Sequence, residues 1–246
     1  MKIIPAIDLK DGCCVRLFKG DFDQTTEYSN NPLDVAQRFS ALNVQHLHVV
    51  DLDGARTGEQ SNEAIVADIT AATPLSVQIG GGIRTADTVS RWLNAGVARC
   101  VVGSVAIQSP DTVKGWMDRF GAEHIVLALD VRIDETGQPL LTTHGWTQTS
   151  DLTLWNCLDR YLDAGLKHVL CTDVSRDGAM AGPNVALYND VLDRYPELRL
   201  QASGGVRHIE DLIDLREHGI PAAITGKAML DGKITAQEIA SFQQNA

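Results

Sequence analysis

Ile79-Gly80-Gly81-Gly82-Ile83-Arg84 is written a second time as Ala202-Ser203-Gly204-Gly205-Val206-Arg207, 204 − 81 = 123 residues later, and 123 is half of the 246-residue chain. Outward from these two copies the same spacing keeps returning. Asp8, ending Ile4-Pro5-Ala6-Ile7-Asp8, answers to Asp130, ending Leu127-Ala128-Leu129-Asp130 (130 − 8 = 122). Asp51, after His48-Val49-Val50, answers to Asp173, after Leu170-Cys171-Thr172 (173 − 51 = 122). Gly103, after Cys100-Val101-Val102, answers to Gly226, after Ala223-Ile224-Thr225 (226 − 103 = 123). A period this long is no solenoid repeat. It reads as a half-domain written twice, with halves of about 1–123 and 124–246.

Short apolar runs alternate with longer amphipathic ones along the whole chain. Strands are expected at Ile3–Asp8, His46–Asp51, Ser76–Gly80, Cys100–Gly103, Ile125–Asp130, His168–Asp173, Leu198–Ala202 and Ala222–Gly226. Several are apolar at nearly every position, as parallel strands covered on both faces should be. Helical spacing fills the gaps. Asn31-Pro32 opens Leu33–Asn43, Thr85 precedes Ala86–Asn94, Ser109-Pro110 opens Asp111–Phe120, and Asp151 begins a run to Ala164. Proline at a helix start lacks only a donor that would be unpaired there, and Gly96, Gly165 and Gly219 supply left-handed stops. Eight β-α units without a linker near residue 123 predict a single (β/α)8 TIM barrel, residues 1–246, built from two half-barrels.

Thirty-two acidic residues against 21 Lys and Arg give a net charge of −11. That excludes a surface built for nucleic-acid backbones, but not a phosphorylated metabolite held by local cations and helix N-termini. No secretory leader or apolar span of about 18 residues is visible, so no membrane partner and a cytoplasmic location are expected. The five cysteines form no Cys-x-x-Cys pair and read as reduced thiols.

In a barrel of this kind the active site lies at the C-terminal strand ends. That rule selects Asp8, Asp51, Asp130 and Asp173, together with the glycine turns. Gly81 and Gly82 follow the third strand, Gly103-Ser104 the fourth, Ser203-Gly204-Gly205 the seventh and Gly226-Lys227 the eighth. Backbone without Cβ atoms can curl several N–H groups around one anion. Two matched pairs of such turns imply a small-molecule ligand phosphorylated at both ends; the competing reading is tight turns alone. Asp8 and Asp130 end strands on opposite sides of the barrel, which suits acid–base chemistry at the middle of a long substrate. Asp130 has a structural alternative, as a loop cap or an Arg-orienting group. Asp177-Gly178 can be a simple Asp-Gly turn inherited with its counterpart Asp53-Gly54. His46 and His48 share a strand face without a completing metal ligand set, so hydrogen-bonded core histidines are expected and no metal. Trp146, in His144-Gly145-Trp146, either covers a rim or stacks on a planar ligand.

These residues together resemble the phosphoribosylformimino-5-aminoimidazole carboxamide ribotide isomerases, (β/α)8 enzymes of histidine biosynthesis. The resemblance runs end to end, through Ile4–Leu9, Val49–Leu52, Gly80–Arg84, Leu127–Asp130 and Thr172-Asp173-Val174-Ser175-Arg176-Asp177-Gly178. It implies an Amadori rearrangement of an aminoaldose to an aminoketose with no cofactor. Asp8 would be the base at ribose carbon 2 and Asp177 the acid at the ring oxygen, overruling the turn reading. Thr172 would support the acid, Asp130 would hold substrate, and Trp146 would stack on the carboxamide-imidazole. Arg16 and Arg84 complete the substrate-binding set, and a monomer is expected. One departure is Ala179 after Gly178, where the family commonly has Thr.

The nearest rival is the sister cyclase that makes imidazole glycerol phosphate with a glutaminase partner. It usually reads Cys-Leu-Asp where this chain has Ala6-Ile7-Asp8, and it lacks Gly145-Trp146. A bifunctional isomerase also acting on phosphoribosylanthranilate and a non-catalytic phosphate-binding module remain as alternatives. The long segments Arg16–Tyr28, Val131–Trp146 and Val174–Asn184 exceed ordinary βα connections and are expected to close over substrate.

Overall fold

A computed structural model describes every residue except Lys19, His144, Gly145, Thr147, Asn245 and Ala246, with Phe18 described by its backbone alone. His144 and Gly145, read above as leading into Trp146, therefore lie outside the described residues. Eight parallel strands close on themselves: β1 (Lys2–Lys10), β4 (His46–Asp51), β5 (Ser76–Gly80), β6 (Arg99–Val102), β7 (Ile125–Ile133), β10 (His168–Asp173), β11 (Arg199–Ser203) and β12 (Ala222–Thr225). The β7–β10 ladder joins the two halves on one side, and the β12–β1 ladder joins them on the other. The fold is a (β/α)8 barrel.

Alternation along each strand decides which residues fill the barrel and which meet the helices. Ile4, Ala6, Val101, Val126, Leu170, Ala222 and Ile224 form a separate inner cluster. Ile3, Ile7, Leu9, Leu47 and Val49 belong to the outer core under the helices. Near the middle of the barrel Gln78 and Gln201, 201 − 78 = 123 residues apart, exchange amide hydrogen bonds of 2.7 and 3.0 Å. Each half thus donates the same residue to one reciprocal contact, and Gln78 also bonds His48 Nδ1 at 3.0 Å. The buried His48 is the hydrogen-bonded core histidine that was expected. For His46 that expectation fails, because neither of its ring nitrogens has a partner.

Helices start at Pro32, Ala86 and Pro110, as Asn31-Pro32, Thr85 and Ser109-Pro110 predict. Thr85 Oγ1 accepts from Thr88 N–H at 3.1 Å, and Asn184 Oδ1 accepts from Leu187 N–H at 3.2 Å. The run expected from Asp151 is corrected: Gln148–Thr153 is a strand, β9, and the helix begins at Leu154 with Thr153 as its cap. Two hairpins ride on the barrel where loops were expected. Strands β2 (Cys13–Phe18) and β3 (Asp21–Ser29) extend from β1, while β8 (Pro139–Thr143) and β9 extend from β7. The first turns on Asp11-Gly12, with φ of 50° and 80°, the positive pair that a two-residue type I′ hairpin needs. Most of β3 is solvent-exposed. No apolar alternation therefore marks it in the sequence.

Candidate active site

The first hairpin decides where Arg16 sits. Antiparallel pairing sets Asp8 opposite Val15 and brings the next residue, Arg16, back over the end of β1. Arg16 Nη1 donates to Asp8 Oδ2 at 2.9 Å, and its Nη2 lies 4.0 Å from Asp177 Oδ2. One guanidinium therefore stands between the two carboxylates assigned to acid–base chemistry. Burial raises the Asp8 pKa, Arg16 pulls it back down, and the nearby Asp177 charge raises it again. Asp8 is buried, with 7% of the residue's surface open, and Arg16 is the main influence favouring its ionised form.

Asp130 forms a second group. Trp146 Nε1–H donates to Asp130 Oδ2 at 2.9 Å, and Thr172 is its register partner on β10. Desolvation raises the Asp130 pKa, hydrogen bonds from Trp146 and Thr172 lower it, and Asp177 raises it. The Trp146 ring also lies against Gly20, where an added Cβ would come within 3.3 Å of it. Trp146 thus joins the two hairpin loops and ties its indole N–H to a carboxylate at the strand ends.

Asp51 and Asp173, selected by the strand-end rule, turn out to hold loops. Asp51 accepts from Gly54 N–H at 3.0 Å and from Asn62 Nδ2 at 2.7 Å. Asp173 accepts from Ser175 N–H and from Asn184 Nδ2 at 2.7 Å. Asn184 − Asn62 is 122 positions, so the offset that revealed the aspartates could also have revealed their partners. Asp53 and Asp177 have diverged. Asp53 Oδ2 accepts from Asp11 N–H at 2.8 Å and from Asn62 at 3.0 Å, whereas the Asp177 carboxylate faces Arg16. The inherited turn is structural in the first half and turned toward the site in the second.

The glycine turns have a packing reason of their own. A Cβ at Gly81 would sit 2.1 Å from the Asp51 carbonyl oxygen, and one at Gly82 2.0 Å from that of Gly54. At Gly205 the nearest atom would be the Gly182 carbonyl oxygen at 2.3 Å. Close backbone packing thus accounts for these glycines without any ligand. A small cavity of about 30 Å³ nevertheless joins Arg16, Asp177, Gly204, Gly205, Gly226 and Lys227. Thr225 also lines it, and its buried Oγ1 has no hydrogen-bond partner. Sequence reasoning passed over Thr225, although it immediately precedes Gly226. Lys227 Nζ donates to Asp231 at 2.7 Å, and Tyr28 at the end of the first hairpin donates to the same carboxylate at 2.6 Å. Ser203 ends β11, and its carbonyl accepts from Tyr188 O–H at 2.7 Å.

The first-half residues Gly81, Gly82, Arg84, Gly103 and Ser104 do not line that cavity. Arg84 is exposed and donates to the Ala55 carbonyl at 3.1 Å. Among the described residues no group of three His, Cys, Asp or Glu could hold a metal ion, and no helix is long and apolar enough to cross a membrane. The five thiols are free. Burial pushes Cys14 and Cys100 up to about 12 and Cys157 up to about 11, which removes them as nucleophiles.

A closed (β/α)8 barrel in which the Asp8 and Asp177 carboxylates converge on Arg16, beside glycine-rich turns, has the layout of a barrel enzyme. Residues 2–235 match the family described as histidine biosynthesis protein. The chain belongs to that family.

Proposed function

We propose that the protein catalyses the Amadori rearrangement of a bis-phosphorylated aminoaldose, the N′-formimino ribonucleotide, to its aminoketose. The observation that carries this reading is the Asp8–Arg16–Asp177 cluster, with Arg16 2.9 Å from one carboxylate and 4.0 Å from the other. Asp177, less buried than Asp8, delivers a proton to the ribose ring oxygen. The furanose opens and the exocyclic nitrogen forms a Schiff base at carbon 1. Asp8, whose ionised form Arg16 favours against burial, removes the proton from carbon 2. The resulting enaminol gains a proton at carbon 1, so hydrogen moves from carbon 2 to carbon 1 with no net change. Two carboxylates in unlike surroundings suit an acid and a base working in one site.

Substrate binding falls to the remaining residues. Gly204, Gly205, Gly226, Lys227 and Thr225 take one phosphate, and Gly81, Gly82, Gly103 and Ser104, with Arg84 beside them, take the other. Trp146 and Asp130 hold the carboxamide-imidazole end. An absorbance assay for isomerisation of the ribonucleotide tests this, run with and without glutaminase and ammonia. Turnover of the aldose form without either addition is the expected result. Turnover only of the ketose form, and only with ammonia, would identify the cyclase instead. Tight binding without turnover would identify a phosphate-binding module. Phosphoribosylanthranilate offered in the same assay reports a second substrate.

A further inference from the structure

The N-terminal end of the barrel, opposite the end where Asp8 and Asp177 meet, is cationic in a chain whose net charge is −11. Five of the barrel strands open there on a basic or imidazole residue: Lys2, His46, Arg99, His168 and Arg199. All five line one cavity of about 280 Å³, with Gln201 of the central amide pair also in its lining. That volume is several times the roughly 30 Å³ share of a water molecule. No carboxylate is among the lining residues. The nearby Glu123 is held by Lys167, and by Arg199 at 3.4 Å.

The polar atoms here are prepared for a partner that the protein does not supply. His168 is only 4% exposed, and its Nε2 has no hydrogen bond, the nearest carboxylate oxygen being Glu123 at 3.7 Å. Both ring nitrogens of His46 and the Arg99 Nε are also buried without a partner. Like charges gathered at one mouth repel each other, and buried donors without acceptors are unfavourable. A tetrahedral oxyanion answers both conditions. It brings negative charge and several acceptor oxygens to a site too wide for one side chain.

We propose that this well binds phosphate, free or as the monoester end of a small metabolite, at the barrel end remote from the catalytic carboxylates. Lys2, Arg99 and Arg199 supply the fixed charge, and His46 and His168 become donors when the anion enters.

The two imidazoles report the site directly. In the free protein burial, then Lys2 and Arg99, hold His46 down to about 4. His168 is held to about 4 by burial, then Arg99 and Arg199, with Glu123 acting the other way. Inorganic phosphate, compared with chloride at equal ionic strength, should raise both midpoints by about one to three pH units, read by NMR of the ring nitrogens. His48, further inside against Gln78, should move less. Phosphate at the strand-end turns touches neither imidazole, so that binding cannot mimic the response. Ribose 5-phosphate in a parallel titration separates the two sources: tighter binding than inorganic phosphate assigns the well to a metabolite, and weaker binding assigns it to the free ion. Arg99→Gln should abolish the response while turnover persists, and Arg199→Gln serves if Arg99→Gln does not fold. Imidazoles unmoved by phosphate well above about 1 mM, or an undiminished response in the folded variant, would overturn the proposal.

Discussion

Arg16 stands between the two carboxylates to which the chemistry is assigned, and it makes the assignment testable from three directions. Asp8→Asn and Asp177→Asn keep the shape of each side chain and remove its capacity to transfer a proton. Each should lose about 100- to 10,000-fold in turnover, the usual worth of a general acid or base. Solvent deuterium should then stop entering at ribose carbon 2 in Asp8→Asn, while Asp177→Asn should leave bound substrate as the closed furanose. Turnover of Asp177→Asn within about tenfold of the parent enzyme would make Asp177 only a turn residue. Arg16→Gln acts through Asp8. Burial raises the Asp8 pKa and Arg16 is the first influence opposing it, so removing the cation raises it further. A base works when ionised, above its pKa. The acid limb of the kcat/KM profile should therefore move to higher pH, and a limb that stays or moves down would show that Arg16 does not set Asp8.

Among the elements, the glycine turns need a test that separates backbone packing from anion binding. Gly81 has φ of 109° and no room for a Cβ beside the Asp51 carbonyl. Gly81→Ala should therefore cost more than about 3 kcal/mol in urea unfolding, whatever the turn binds. Ser104 is different. It is exposed and opens the short helix Ser104–Gln108, where an added carboxylate is well tolerated by the helix dipole. Ser104→Asp should leave stability within about 0.5 kcal/mol and weaken binding of a bis-phosphorylated ligand by at least about tenfold, or about 1.4 kcal/mol. Unchanged affinity would reduce the first-half turns to packing. The hairpins carry a lesson at the same scale. Lys10-Asp11-Gly12-Cys13 displayed a strong turn signal, but a largely solvent-facing strand beyond it gave no alternation to confirm a ladder.

For the molecule as a whole, the Gln78–Gln201 pair is where the two halves meet through identical residues. Gln201→Leu should strip Gln78 of a buried partner and cost about 1–3 kcal/mol. Gln78→Leu should cost more, because it also leaves His48 Nδ1 unbonded. Urea denaturation of the two variants gives the order directly, and equal losses would show that the His48 contact adds nothing. Closure of the loops is the other molecular-scale expectation. Tyr28 is tied to Asp231 by a 2.6 Å hydrogen bond, and Trp146 links the second hairpin loop to Gly20 of the first. A substrate analogue should slow proteolysis within Arg16–Tyr28, Val131–Trp146 and Val174–Asn184. Equal cleavage with and without the analogue would argue against closure.

By itself the sequence determined the barrel, because eight apolar runs and a half-length offset are local and periodic signals that need no knowledge of contacts. It placed the eight strands, the helix starts at Pro32, Ala86 and Pro110, and Asp8, Asp130 and Asp177 at or beyond strand ends. Tertiary structure decided which strand-end aspartates were committed to holding loops, a role the sequence marked only through the matching offset of Asn62 and Asn184. Asp51 and Asp173 look like Asp8 and Asp130 in the sequence, and only the positions of Asn62 and Asn184 distinguish them. It also decided that Arg16 should stand between Asp8 and Asp177, which depends on a hairpin register and on a loop from the other half of the chain. The cationic well was equally hidden, since Lys2, His46, Arg99, His168 and Arg199 are scattered over nearly 200 positions and converge only when the sheet closes. Strand periodicity is written residue by residue; convergence across a barrel is set by closure, which no local stretch contains.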